Sequence, residues 1–340
     1  MGCEVPPISH RDIHPLTLGT LTVPSNLIQA PLAGVSTAAF REGIWSFGGV
    51  GYCTTEMISA KTLLHHPPKR YIFKSEREGL LCFQLSGNSP FELAQAASRA
   101  VALGADLIDL NCGCPVDKIR KKHGGSAWLS QPKALYQALA AMKAQIGSIP
   151  LTIKIRVDGE SGDGFNADIV KAACDAGVAG IIVHGRHWTE SYDQPVRLDE
   201  IAQIVQIAQV YHIPVIGNGD IKDHASFSAM MRHTGCAGAM IGRASVGRPW
   251  LFAHLMAIDK GVAYRTPTPH QIGELLLAHV QRLIDLELEP ESIALLQART
   301  LGKYFLRAAG RDSNEAMLAF SRFTTWDALV HGVGRYFACV

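Results

Sequence analysis

No apolar run in this 340-residue chain is long and uninterrupted enough to cross a bilayer, which argues against a helical membrane protein. The opening Met1-Gly2-Cys3-Glu4-Val5-Pro6 lacks the basic-then-apolar layout of a secretion signal, and Pro6 stands where N-myristoylation needs Ser or Thr. Low-complexity stretches are missing too. Apolar residues at 47% and charged residues at 18% describe an ordinary globular protein. The net charge is only +2, so a nucleic-acid partner would need basic residues clustered on one surface. The cysteines (Cys3, Cys53, Cys82, Cys112, Cys114, Cys174, Cys236 and Cys339) are scattered, mostly inside apolar runs. That pattern excludes a disulfide framework and fits free thiols in a reducing cytoplasm. Cys112 and Cys114 make a C-x-C pair, but no second closely spaced Cys/His pair accompanies them, so no metal is expected. The chain is read as cytoplasmic and monomeric, without a membrane partner.

What is present is a repeat. Eight short apolar runs lie at 26–35, 50–58, 80–87, 107–115, 151–158, 180–186, 214–220 and 238–244, and most end on or beside a glycine or a polar residue. Helical patterns at 90–103, 131–146, 166–176 and 198–210 lie between them, with apolar residues three and four apart. Alternating strand and helix signals mean parallel βαβ units, and eight of them predict a closed (β/α)8 TIM barrel, an α/β fold. Composition changes after Trp250-Leu251-Phe252. The proline-bearing stretch 264–269 reads as a linker, followed only by helical patterns at 272–286, 291–310 and 314–329 and a short last one to Phe337. The expected organisation is a barrel domain over 17–258 and a small all-α bundle over 267–340.

Barrel strands alternate between interior and helix-covered exterior. In the third run Leu81, Phe83 and Leu85 share one parity and leave Cys82, Gln84 and Ser86 on the other; in the fifth, Thr152, Lys154 and Arg156 oppose the apolar set. The helix layer takes the apolar residues, so Gln84 and Lys154 point inward. Asn111 and His184 also fall near strand ends. A single such His or Gln is usually a satisfied structural group, but an inward lysine needs an anionic or strongly polar partner. The loops after strands seven and eight are the habitual phosphate cradle of this fold. Here they carry Gly217-Asn218-Gly219-Asp220 and Gly242-Arg243, which predicts a phosphate-bearing cofactor, flavin mononucleotide (FMN) foremost. Cys114 ends the fourth run beside Lys118, Arg120, Lys121, Lys122 and His123. A thiol of ordinary pKa, about 8.5, is mostly protonated at neutral pH and can donate a proton.

In order along the chain stand Ala30-Pro31-Leu32-Ala33-Gly34-Val35, Thr55-Glu56-Met57, Gln84-Leu85-Ser86-Gly87 and Asp109-Leu110-Asn111-Cys112-Gly113-Cys114-Pro115. Gly124-Gly125-Ser126-Ala127, Lys154-Ile155-Arg156, His184-Gly185-Arg186, Asn218-Gly219-Asp220 and Gly242-Arg243-Ala244 follow. This ordered set resembles the tRNA-dihydrouridine synthase family of flavin-dependent reductases. The resemblance implies that Pro31, Leu32 and Ala33 pass beneath FMN, that Gln84 and Lys154 hydrogen-bond its isoalloxazine, and that His184 sits beside it. Asn218, Gly219, Asp220, Gly242 and Arg243 would hold its ribityl chain and phosphate. NADPH would reduce the flavin, a hydride would pass to C6 of a uridine flipped out of tRNA, and Cys114 would protonate C5. The helical bundle would grip tRNA.

RNA contacts are then expected from Asn111, Lys118, Arg120, Lys121, Lys122 and Arg186. Arg299, Lys303, Arg307 and Arg311, spaced by four, would add a stripe on one helix. Tyr304 and Phe305 would pack the bundle core. The chain departs from the family after Arg186, reading His187-Trp188-Thr189-Glu190 where Thr-Arg is usual, and it lacks a glycine near Tyr192-Asp193-Gln194. Two alternatives remain open at this point. A small-molecule flavin reductase of dihydroorotate-dehydrogenase type would not need the bundle. A non-enzymatic tRNA-binding scaffold would not need Cys114 or Lys154.

Overall fold

The computed structural model describes residues 12–158 and 165–338, so the readings made on Met1–Pro6, Cys3 and Cys339 lie outside the described residues. A short antiparallel hairpin, β1 (Leu16–Leu18) and β2 (Leu21–Val23), comes first. The parallel strands are β3 (Leu27–Gln29), β4 (Cys53–Thr54), β5 (Ile58–Ser59), β6 (Leu81–Ser86), β7 (Leu107–Asn111), β8 (Leu151–Arg156), β9 (Gly180–His184), β10 (Val215–Asn218) and β11 (Gly238–Ile241). Neighbours run β3-β11-β10-β9-β8-β7-β6-β4, and the Ile28–Tyr52 bridge closes the ring. Each predicted run contains a strand, the second run contributing both β4 and β5, with β5 reaching one residue past its end at Ser59. The expected TIM barrel is therefore observed.

The second run is interrupted. Cys53 pairs Leu81 but Ile58 pairs Leu85, so β4 and β5 together carry one residue more than β6 opposite them. This bulge turns Glu56 out of the ladder, where it accepts from the Gly34 amide at 2.6 Å and from Arg70 at 2.7 Å. The hairpin escaped the sequence reading because its strands are only three residues long. It plugs the barrel floor: Leu16, Leu18 and Val23 pack with Ile28, Tyr52, Cys82, Leu107, Ile182, Ile216 and Met240.

The parity argument holds on both strands where it was made. Leu81, Phe83, Leu85, Ile153 and Ile155 join the core beneath the helices, while Cys82 joins the interior cluster. Gly217, expected to open backbone toward an anion, faces outward instead. A Cβ there would lie 2.4 Å from the Met230 sulfur, so close packing of helix His224–Thr234 on β10 requires this glycine.

After helix Leu251–Asp259 come helices Pro269–Asp285, Glu291–Ala308, Asn314–Ala319 and Trp326–Tyr336. The single helix expected over 314–329 is two, because the Thr325 hydroxyl caps a new start by accepting from the Ala328 amide. Two side-chain tethers hold these helices on the barrel. Arg282 donates to Glu42 at 2.7 Å, and Arg70 bridges Glu56 to Glu289. Among the described residues no helix is long and apolar enough to cross a membrane, no group of three His, Cys, Asp or Glu could hold a metal ion, and the cysteines are free.

Candidate active site

The interior polar residues form one chain of hydrogen bonds that ends at the thiol loop. The Thr152 hydroxyl donates to Asp109 Oδ1 at 2.7 Å, and Gln84 Nε2 donates to Asp109 Oδ2 at 2.8 Å. Asn111 Nδ2 donates to Gln84 Oε1 at 2.9 Å. The Asn111 Oδ1 then accepts from the amides of Gly113 at 3.2 Å and Cys114 at 2.9 Å. Burial pushes the Asp109 carboxyl up to about 6, against the opposing pull of the Thr152 and Gln84 bonds and of Lys154. Asp109 was not singled out in the sequence, although it shares its parity with Asn111 on β7.

Above this layer opens a cavity of about 580 Å³ at the C-terminal ends of the strands. Pro31, Leu32, Lys154, His184, Asn218, Gly219, Asp220, Gly242 and Arg243 all line it, as expected. Lys154 is half-buried, and among the described residues its ammonium has no hydrogen bond or ion pair. Burial, with Arg156 nearby, lowers its pKa to about 7 although Asp109 and Cys114 pull the other way. Burial and the cations Lys154, Arg156, Arg186 and Arg243 drive His184 down to about 2, so its ring is neutral. The cavity is thus rich in positive charge, and among the described residues its lining holds no carboxylate beyond Asp220, which is already paired with Arg186 and, at 3.1 Å, with Arg243.

Several expected residues sit elsewhere. Ala33 is exposed and Gln84 is buried with both ends of its amide engaged, so neither lines the cavity. Arg186 is 1% exposed, donating to Asp220 and to the carbonyls of Tyr192 and Gln194, which makes it a tether for the atypical loop rather than a surface group. Cys114 is half-buried beside the cavity, close enough to Lys154 and Arg156 to influence both. Lys118, Lys121 and Lys122 are exposed next to it, and Arg120 is half-buried.

The helical stripe is broken. Its helix ends at Ala308, before Arg311, and Arg299 Nε donates to the Phe323 carbonyl at 2.7 Å inside the bundle. Lys303 is half-buried. Tyr304 packs against the core as expected but also lines the cavity with Arg307, while Phe305 is buried as expected. No periodicity could have revealed this, since it depends on where the helix docks.

Two residues missed in the sequence organise the mouth. Arg156 Nε donates to the Gly113 carbonyl at 2.8 Å and its Nη1 to the His187 carbonyl at 3.0 Å, joining the thiol loop to the loop after β9. Tyr192 from that second loop lies 4.0 Å beneath the Arg243 guanidinium and closes one side of the cavity.

Fold and site together define a (β/α)8-barrel enzyme with its chemistry at the C-terminal mouth. The family model described as Dihydrouridine synthase (Dus) matches residues 28–311. A probable tRNA-dihydrouridine synthase 1 from Synechocystis sp. is 34% identical over 271 residues, 79% of this chain and 75% of its own. The tRNA-dihydrouridine synthase B of Pseudomonas aeruginosa is 32% identical over 327 residues, 94% of this chain and 95% of its own. Among solved structures, an old yellow enzyme homologue from Zymomonas mobilis superposes with a TM-score of 0.55 at 15% identity, covering 74% of this chain and 93% of its own. Morphinone reductase gives 0.54 at 15% identity over 78% of this chain and 94% of its own, a likeness of fold. The chain belongs to the dihydrouridine synthase family. It is an oxidoreductase acting on uridines of tRNA, with a flavin as redox cofactor.

Proposed function

We propose that the flavin is FMN bound in the 580 Å³ cavity, that NADPH reduces it, and that Cys114 is the proton donor. Residues 17–258 form the catalytic barrel in this reading and 267–340 the part that grips tRNA, in the cytoplasm. NADPH and the tRNA role of the helices rest on the family resemblance. FMN rests on the cavity itself. Gly219 has φ of +132°, and a Cβ there would lie 2.8 Å from Val196. At Gly242 a Cβ would meet only Ala30 and Leu32, at 3.6 and 3.7 Å, so the missing side chain leaves room in the cavity wall. Arg243 stands beside that gap, supplying charge for a phosphate. The single observation that carries the reading is Lys154, an ammonium in the cavity wall with no partner among the described residues.

When bound, the flavin supplies a hydride to C6 of the uracil ring. Lys154 would offer a positive charge where negative charge gathers, and an anion there would draw back the proton that burial alone disfavours. His184, held neutral by its surroundings, serves as a hydrogen-bonding wall and adds no competing charge. Asn111 fixes the backbone at Cys114 through two accepted bonds, so the thiol is carried by a braced loop. Cys114 gives its proton to C5, and Lys154 and Arg156 are close enough to stabilise the thiolate left behind. Extruding the base costs a few kcal/mol. The exposed Lys118, Lys121 and Lys122 on the thiol loop offset that cost by binding phosphates.

The deciding experiment is Cys114→Ala. The variant should bind flavin and oxidise NADPH as the wild type does, yet form dihydrouridine at least about a hundredfold more slowly, the usual contribution of a positioned acid. Wild-type dihydrouridine formation would remove the thiol from the reaction.

A further inference from the structure

The helix Asp117–Arg120 and the loop after β9 come from different units of the barrel, yet the Arg120 guanidinium carbon lies 3.1 Å from the Trp188 ring centroid. The His187 ring tilts against the same indole, with centroids 5.3 Å apart. Among the described residues no carboxylate pairs with Arg120, and its Nε is buried without an acceptor. Lys118, Lys121 and Lys122 beside it are exposed and likewise lack an acidic partner among the described residues. Asp117 opens the same helix and Glu190, already paired with Arg197, lies beside His187, but the four cations outnumber these acids, so the patch is left with positive charge that an anion would neutralise. The stack is also fixed relative to Cys114. Arg156 binds the Gly113 carbonyl with Nε and the His187 carbonyl with Nη1, one residue away from the thiol on one side and from Trp188 on the other.

We propose that Arg120 and Trp188 form a stacking platform for the nucleobase next to the target uridine in tRNA, with the adjacent lysines taking its phosphates. The proposal rests on the reading that the protein reduces tRNA uridines. A guanidinium whose carbon lies 3.1 Å from an indole centroid can offer a π-surface to a base and N–H groups to a phosphate. RNA bases stack on such surfaces whatever their identity, because every base has a π-face. Through the Arg156 tie, a base held there sits at a set offset from Cys114. The platform therefore governs which nucleotide is delivered to the thiol.

The test uses flavin-loaded, full-length protein and unmodified tRNA. In the wild type, tRNA should quench tryptophan fluorescence. Trp188→Phe should lose most of that quench while keeping KM for tRNA within about threefold, because a ring remains to stack. Trp188→Ala should raise that KM by about 5- to 100-fold, the range for losing one stacked base, and leave RNA-independent flavin reduction unchanged. Arg120→Met should lower the salt dependence of tRNA binding by about one ion. An unchanged KM in Trp188→Ala, a full quench in Trp188→Phe, or a loss confined to kcat would each overturn the platform and leave a structural prop. Should Trp188→Ala fail to fold, the Trp188→Phe quench and the Arg120→Met salt slope decide. A wild type that is quenched by tRNA but makes no dihydrouridine would sink the functional reading while the platform stood.

Discussion

Replacing Lys154 with Met should make the flavin-free protein more stable and its flavin complex weaker. The lysine stands in the cavity wall with no acceptor among the described residues, and its pKa has fallen from 10.5 to about 7. Carrying the charge at pH 6 therefore costs up to roughly 5 kcal/mol. Solvent reaching the half-buried side chain through the mouth reduces this to about 1–3 kcal/mol. The sign follows from proton counts: between pH 7 and 10.5 the unfolded chain holds this proton and the folded protein does not. Stability from this group thus rises with pH across that window and is lowest below it. Urea unfolding of flavin-stripped protein should show Lys154→Met ahead by about 1–3 kcal/mol at pH 6 and the difference closing toward pH 10. Flavin affinity, followed by fluorescence quenching, should drop about 10- to 100-fold with the loss of a charge-assisted bond. A variant less stable than wild type at pH 6, or one that binds flavin equally well, would refute the reasoning.

Three further substitutions probe the supports of the site. Asn111→Ala strips the Gly113 and Cys114 amides and the Gln84 carbonyl of their partner; it should cost about 1–3 kcal/mol in urea unfolding and slow dihydrouridine formation at least tenfold at unchanged flavin content. Gly219→Ala forces a side chain into φ +132° with its Cβ 2.8 Å from Val196. Strain of about 1–3 kcal/mol should appear as flavin lost on gel filtration, and full retention would contradict the cradle. Arg156→Gln cuts the ties to Gly113 and His187, so kcat should fall while NADPH-driven flavin reduction persists; parallel loss of both would place Arg156 in flavin binding instead.

Strand number, helix alternation and the inward direction of Gln84 and Lys154 were legible because they follow from local rules. A two-residue period and an outer helix layer leave no other assignment for β6 and β8. The same arithmetic applied to β7 would have found Asp109. The plugging hairpin was hidden by its three-residue strands, and the helix break at Thr325 by a cap whose effect is clear only beside Phe320 and its neighbours.

By itself the sequence determined a family, a barrel, the glycines at the ends of the seventh and eighth strands and a thiol among cations, since periodicity and ordered motifs are properties of the chain. Tertiary structure alone decided that Gln84 is spent on Asp109 and Asn111, that Gly217 serves packing, and that Arg186 is a buried tether. It also decided that Tyr304 reaches the cavity and that Arg120 lies on Trp188. Each of these depends on which distant segments meet, and the contacts of a side chain are set by the docking of whole elements rather than by its neighbours in sequence.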